Sequence, residues 1–435
     1  MNDMEKLLHY VWQHQLLPEG DLLTDRNERV EVIDPGIHNN NSGPDFFNAK
    51  VKVDGTLWVG NVEIHERASD WRRHRHDTDA AYDNVVLHVC GTIDGTARTT
   101  DGRLLPQVSI GVPDYVAANY RELLEEESYP PCYRIIPNIP KLKVHAWLNA
   151  LTAERLDEKT RRIGDWLART GGDWERTCFI SMARSFGFGI NSEAFETWAL
   201  NLPLQAVGKH RDDAFQMEAI FLGQAGLLDD ALVAPERRDD YFVRLQKEYA
   251  YLRHKFSLTP MDARMWRFLR LRPQNFPHVR LSQLVELHHS RRMDFSRLME
   301  APDEPALRGL LRAQVTPYWE THYTFGGESA QRSKALRDTS IDLLIINTVA
   351  PLLFAYGRHT ADERLCERAM TLLESLKPEH NFITRSWERA GIRSENAADS
   401  QALIQLRHSY CDAKDCLRCR FGAEYVKDVT PRRHE

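Results

Sequence analysis

Residues 46–65 hold two runs of alternating side chains separated by Asp54-Gly55. An Asp-Gly pair between such runs predicts a β-hairpin, because both residues tolerate the positive φ of a tight turn. A slip of one residue would send each buried side chain to the opposite face, so the ribbon fixes register as well as strand type. Shorter β-like runs surround it at 29–33, 84–89 and 104–110, with Asp94-Gly95 and Asp101-Gly102 as further turns. An amphipathic helix precedes them and carries Leu7, Leu8, Val11 and Trp12 on one face. Residues 1–113 therefore read as an α+β or α/β domain built on a mixed sheet.

The texture then changes. Residues 114–140 read as a linker, in which a short helix ends in the acidic run Glu125-Glu126-Glu127 and Pro130-Pro131, Pro137 and Pro140 follow. From 141 to 435 the apolar spacing is helical, most clearly at 145–167, 214–228, 239–254, 342–356 and 361–376. The expectation is a mixed-sheet domain joined to a mainly α-helical one that ends in a cysteine-rich segment.

Charge and cysteine content narrow the function classes. With 57 Lys+Arg against 63 Asp+Glu the formal net charge is -6, which excludes a globally basic nucleic-acid binder but allows a local basic patch. No apolar run approaches the ~20 residues of a membrane helix. Glu5, His9 and His14 interrupt the first apolar stretch, which reads as a helix and not a signal peptide. Seven cysteines, three of them within 411–419, point to reduced thiols and a metal site in a cytoplasmic protein.

The chemistry concentrates near the hairpin. Asp45 follows Ser42-Gly43-Pro44 at the start of one strand, and Glu63 lies near the end of the partner strand in Gly60-Asn61-Val62-Glu63-Ile64-His65. Two carboxylates on neighbouring strands can converge on a hard divalent cation such as Mg²⁺ or Mn²⁺. His65 shares a strand face with Glu63. Ser69-Asp70-Trp71, His74-Arg75-His76-Asp77, Asp79 and Tyr82-Asp83-Asn84 follow, more polar and metal-capable residues than a core needs. His88 reads as a hydrogen-bonded strand histidine.

The order helix, strand, hairpin, helix, strand, with Pro44-Asp45 and Glu63-Ile64-His65, resembles the PD-(D/E)XK nuclease superfamily, and so implies a restriction-endonuclease-like fold. The resemblance implies that Asp45 and Glu63 hold the metal and that Glu5 is a further acid. His65 stands where that superfamily has lysine, as a base, as a ligand, or as the mark of a site that binds without cutting. His74 and His76 would assist. The wider pattern, with Gln224-Ala225-Gly226, the segment Arg272-Pro273-Gln274-Asn275-Phe276-Pro277 and the cysteine-rich end, is similar to a bacterial full-length family of unknown function. The leading expectation is metal-dependent phosphodiester hydrolysis on DNA or RNA. The alternatives are a catalytically degenerate nucleic-acid-binding or scaffold protein, and a metal-dependent small-molecule hydrolase using Glu63, His65 and His74.

Two distal segments complete the list. Arg264, Arg267, Arg270 and Arg272 are interleaved with Trp266 and Phe268, and Arg280 follows. On a helix, Arg264, Arg267 and Arg270 form a row suited to phosphate, with Trp266 free to stack on a base. Cys411, Cys416 and Cys419 have C-x4-C-x2-C spacing with His408 just upstream, which suits a zinc site. The alternative is an iron–sulfur cluster, which some nucleases of that superfamily carry. Its fourth ligand would be one of Cys90, Cys132, Cys178 or Cys366.

Overall fold

In a computed structural model that describes residues 2–17, 20–39 and 41–429, Asn2 caps α1 (Asp3–Gln13) by accepting from the Glu5 amide, and Leu7, Leu8, Val11 and Trp12 are buried as expected. The strands follow in the order β1 (Leu22–Leu23), β2 (Arg29–Asp34), β3 (Ile37–His38), β4 (Phe46–Val53), β5 (Thr56–Arg67), β6 (Val85–Thr92) and β7 (Gln107–Ser109). The predicted hairpin is β4–β5, with Asp54 at φ 49° and Gly55 at φ 83° in its turn.

The sheet order is β1-β2-β4-β5-β6-β7, with β3 pairing β4. The β2, β4 and β5 strands are antiparallel neighbours, whereas β5–β6 and β6–β7 are parallel. The β5-to-β6 crossover carries the short helix α2 (Asp70–Arg73). Val85 to Cys90 on β6 are all buried, as a strand flanked by neighbours and covered on both faces requires. A Cβ at Gly60 would lie 2.3 Å from Val86, so only glycine lets β5 pass β6 this closely. Thr24 bridges Val108 and the Asp25 amide donates to Gln107 O at 2.8 Å, which nearly closes the sheet on itself.

The chain divides into two compact units, one of Met1–Val144, Ser386–Ile392 and Leu406–Glu435, the other of His145–Arg385 and Arg393–Gln405. The division corrects the domain boundaries expected from sequence. Residues 114–140 are not a linker, because α3 (Asp114–Glu125) buries Val116, Tyr120 and Leu123 in the first unit. Asn119 Nδ2 there donates to Val426 O at 3.1 Å and to Asp428 O at 2.9 Å. The cysteine-rich segment belongs to the same unit.

The second unit is helical. Its core contains the nearly engulfed helices Trp174–Phe186, Ala214–Gln224 and Pro277–His289. Buried Glu218 accepts from Tyr241 Oη at 3.0 Å, from Thr316 Oγ1 at 2.7 Å and from Trp319 Nε1, so that acid is fully satisfied. Among the described residues one helix, Asp338–Thr360, is long and apolar enough to cross a membrane, and 72% of its apolar window is buried inside the protein.

The arginine segment is not a helix. Ala263–Met265 forms a single 3₁₀ turn, and Arg270 takes φ 64° before Pro273. Trp266 is buried against Phe195, with ring centroids 4.8 Å apart, and donates to Ala225 O at 2.8 Å, so it offers no face to a base. Arg264, Arg267, Arg270 and Arg272 are exposed, whereas Arg280 is buried and donates to Gln283 Oε1 at 2.8 Å and Asn275 Oδ1 at 2.7 Å.

Candidate metal centre

A β-bulge brings the two acids together. The outer half of the hairpin pairs Ala49 with Gly60, and continuing that register would set Phe46 opposite Glu63. The pairing instead shifts by one between Phe46 and Ala49, with Asn48 at φ 57°, so Phe46 faces Val62 and Asp45 comes alongside Glu63. The Asp45 amide donates to Glu63 Oε2 at 3.1 Å, and the Ile64 amide donates to Asp45 Oδ2 at 2.9 Å.

Burial raises both carboxyl groups well above the usual carboxylate range. The negative charge of Glu63 raises Asp45 further, and Glu5 on α1 raises both.

Three histidines close on the acids, His65 from β5 and His74 and His76 from the crossover. His74 ends α2, Arg75 takes the left-handed conformation at φ 65°, and His76 begins a 3₁₀ turn, so the chain folds back on β5. His76 Nε2 lies 3.2 Å from Glu63 Oε1, and His65 Nε2 lies 3.5 Å from the same oxygen. His65 Nε2 is also 3.1 Å from His74 Nδ1. Tyr82 stacks on the His76 ring at 3.8 Å between centroids and holds it in place. Among the described residues, His65, His74 and His76 place one ring nitrogen each within 4.8 Å of one another, with His74 exposed and the other two buried.

The hydrogen-bond chain behind His65 fixes its tautomer. Gly95 O can only accept, so Gln107 presents Nε2 to it at 2.8 Å and turns Oε1 toward His88 Nδ1 at 3.0 Å. His88 Nδ1 must then carry the proton, which leaves its Nε2 to accept from His65 Nδ1 at 2.8 Å. His65 Nε2 therefore carries a lone pair, which faces Glu63 and His76 and can accept from His74 Nδ1. Burial, then the neighbouring His88, His76 and His74, lower the His65 pKa to about 2, so the ring stays neutral.

The donor set fits a cation. Nε2 of His76 and Nε2 of His9 are buried and make no hydrogen bond, although each lies near a carboxylate oxygen, at 3.2 Å from Glu63 and 3.4 Å from Asp45. Unlike Glu218, whose carboxylate meets three side-chain donors, Glu63 has one oxygen held by the Asp45 amide and the other facing the imidazole nitrogens of His65 and His76. Mixed nitrogen and oxygen ligands suit Mn²⁺ or Zn²⁺ better than Mg²⁺. The structure thus gathers Glu63, His65, His74 and His76, with Asp45 beside Glu63 on the neighbouring strand and next to His9.

His9 and His38, with Nδ1 and Nε2 3.4 Å apart, join the site without having been singled out from sequence. A histidine set among the buried apolar positions of α1 was the available signal for His9. A cavity of about 480 Å³ opens beside them, and Lys6, His9, Asp45, Lys414 and Arg418 line it. The exposed arginines 264, 267, 270 and 272 lie in the other unit. His408 is half-exposed, with Nδ1 3.4 Å from Asp412 Oδ2.

No curated protein and no solved structure matches the chain. A family model described as a protein of unknown function (DUF2851) matches residues 5–382, and the chain belongs to that family.

Proposed function

We propose that the first unit is a metal-dependent hydrolase acting on phosphodiester bonds of nucleic acid. The observation that carries this reading is the convergence of Glu63 Oε1 with Nε2 of His65 and of His76, at 3.5 and 3.2 Å, beside a second buried acid. The order of α1, an antiparallel meander, a crossover with α2 and the parallel strand β6 supports the nuclease resemblance.

A divalent cation bound there, Mn²⁺ or Zn²⁺ ahead of Mg²⁺, would lower the pKa of water and polarise the phosphate. Asp45 and Glu63 supply its negative oxygens, and the Asp45 and Ile64 amides hold them in place. His65 and His76 supply neutral nitrogens. His74, at the exposed rim, moves a proton to or from the departing or attacking oxygen. Lys6, Lys414 and Arg418 offer cations to phosphate along the adjoining cavity.

The test is hydrolysis of DNA and RNA, single- and double-stranded, with Mn²⁺, Zn²⁺ or Mg²⁺. Glu63→Ala is expected to lose at least about a hundredfold in rate. Equal rates in the two proteins would refute the assignment. Salt-sensitive binding without cleavage by either protein would select the degenerate binder. The nitrogen-rich donor set favours one second reading, a hydrolase of small phosphorylated or amide substrates. Turnover of such substrates without nucleic-acid affinity would select it.

A further inference from the structure

None of the seven cysteines is joined in a disulfide. Three sit in separate surroundings. Cys178 Sγ donates to Met293 O at 3.8 Å, Cys366 Sγ donates to Phe354 O at 3.7 Å, and Cys90 Sγ lies 3.6 Å from the His88 ring nitrogens. The other four, Cys132, Cys411, Cys416 and Cys419, all belong to the first unit.

The chain around Cys132 is fastened to the cysteine-rich segment on several sides. Lys414 Nζ donates to Leu124 O at 2.5 Å. The Arg407 guanidinium lies 4.4 Å from the Tyr129 ring centroid. Trp387 Nε1 donates to Tyr129 Oη at 2.8 Å, and the Trp387 ring packs on Phe421 at 5.7 Å. Tyr129 is three residues before Cys132, Arg407 four before Cys411 and Phe421 two after Cys419.

The segment itself is folded tightly. The Asp415 amide donates to Tyr410 O at 2.8 Å, the Lys414 amide to Cys411 O at 3.1 Å and the Ala423 amide to Cys419 O at 2.7 Å. A Cβ at Gly422 would stand 2.2 Å from Cys416 O, so glycine is required for the Cys416 turn to seat on helix Arg420–Val426. Cys132, Cys416 and Cys419 are no more than 8% exposed.

Electrostatics tie the four thiols together. Burial, then Cys419, Cys411 and Cys416, raise the Cys132 thiol well above its ordinary value. Burial, then Cys419 and Cys416, raise Cys411 in the same way, and Cys416 is pushed up to about 12 by burial and Cys419. Four such thiols, three buried and Cys411 half-buried, would repel one another as thiolates, and a bound cation that displaces their protons would stabilise them together.

We propose that Cys132, Cys411, Cys416 and Cys419 form a tetrathiolate site for a thiophilic metal centre, with Cys132 in the position that the spacing alone assigns to His408. The centre is one zinc ion or one iron–sulfur cluster, both held by four cysteines. It acts as a clamp. It fixes the turn that carries Lys414 and Arg418 to the wall of the cavity shared with Lys6, His9 and Asp45. The clamp does not depend on the hydrolase reading, since its metal is measured without any assay of hydrolysis.

The full chain is purified anaerobically and assayed for zinc, iron and acid-labile sulfide. Expected is about one zinc per chain, or a brown protein with iron and matching sulfide. Cys132→Ser and Cys411→Ser are expected to lower that content at least about tenfold, whereas His408→Ala leaves it unchanged. Glu63→Gln removes metal held at the N-terminal site and leaves the thiol-bound metal in place. Should Cys132→Ser fail to fold, alkylation of the wild-type protein, mapped by mass spectrometry, reads the same point. The four thiols become reactive together on metal removal, while Cys178 and Cys366 do not change. A folded protein that neither contains nor takes up zinc or an iron–sulfur cluster overturns the proposal. So does a metal that follows His408 and not Cys132.

Discussion

Asp45 and Glu63 hold each other by reciprocal main-chain bonds: the Asp45 amide reaches the Glu63 carboxylate at 3.1 Å, and the amide following Glu63 reaches the Asp45 carboxylate at 2.9 Å. Each acid is oriented by the other strand's backbone, and both are kept in a setting that disfavours two bare negative charges. Such a pair is stable when protonated or when joined by a cation.

Glu63→Gln copies the neutral acid in shape, so the variant is expected to fold without loss of stability in metal-free buffer. Wild-type protein at a Mn²⁺ concentration a hundred times its Kd gains about 2.7 kcal/mol, and Glu63→Gln gains little. Thermal melts with and without metal measure both. An equal gain in the two proteins would place the metal elsewhere.

His65→Lys restores the lysine of the resembled superfamily. Here it also removes a lone pair that faces Glu63, His74 and His76. Affinity for Mn²⁺ or Zn²⁺ is expected to fall about 10–100-fold, with a relative shift toward Mg²⁺. Calorimetric titration reads it, and unchanged affinity would show that the imidazole is not a ligand.

The arginine segment separates into two behaviours. Replacing Arg264, Arg267, Arg270 and Arg272 by alanine is expected to leave stability near wild type. On a log–log plot, the salt dependence of nucleic-acid binding is expected to flatten by up to about 0.9 for every arginine that had neutralised a phosphate. Arg280→Ala strands the acceptors of Asn275 and Gln283, and is expected to cost about 2–3 kcal/mol in a denaturant titration.

Acid stability follows two buried histidines of the helical unit. Burial lowers both His278 and His288 to about 4 from an ordinary value of 6.5. Between those values the unfolded chain binds protons that the folded unit refuses, so stability is full above pH 6.5 and falls as pH drops toward 4. A tenfold weaker hold on the proton in the folded state corresponds to about 1.4 kcal/mol. His278→Leu is expected to flatten the decline in a pH series of melts.

Much of the site was legible in the sequence because it rests on local chemistry. Asp54-Gly55 announced the hairpin, and two-residue alternation put Glu63 and His65 on one side. The bulge that seats Asp45 beside Glu63 left only Asn48 as a mark, a residue that tolerates its φ of 57° but carries no turn signal as plain as glycine or proline. The arginine segment misled for a related reason. Its spacing mimics a helix, but the segment is bounded by Pro260 and Pro273, and Trp266 is drawn into the core against Phe195. Residues 114–140 were misread because prolines mark an irregular path, not an unpacked one, and the carbonyls that Asn119 binds lie some three hundred positions further along the chain.

The chain of contacts from Gly95 through Gln107 and His88 to His65 makes the lone pair at the acids a property of a main-chain oxygen in a remote turn. A substitution such as Gln107→Leu touches neither carboxylate nor any residue at the rim, yet it frees His88 to adopt its other proton arrangement. The proton arrangement of the cluster is in that sense set two strands away in the same sheet, by a glutamine that no inventory of acids, imidazoles and thiols would have flagged.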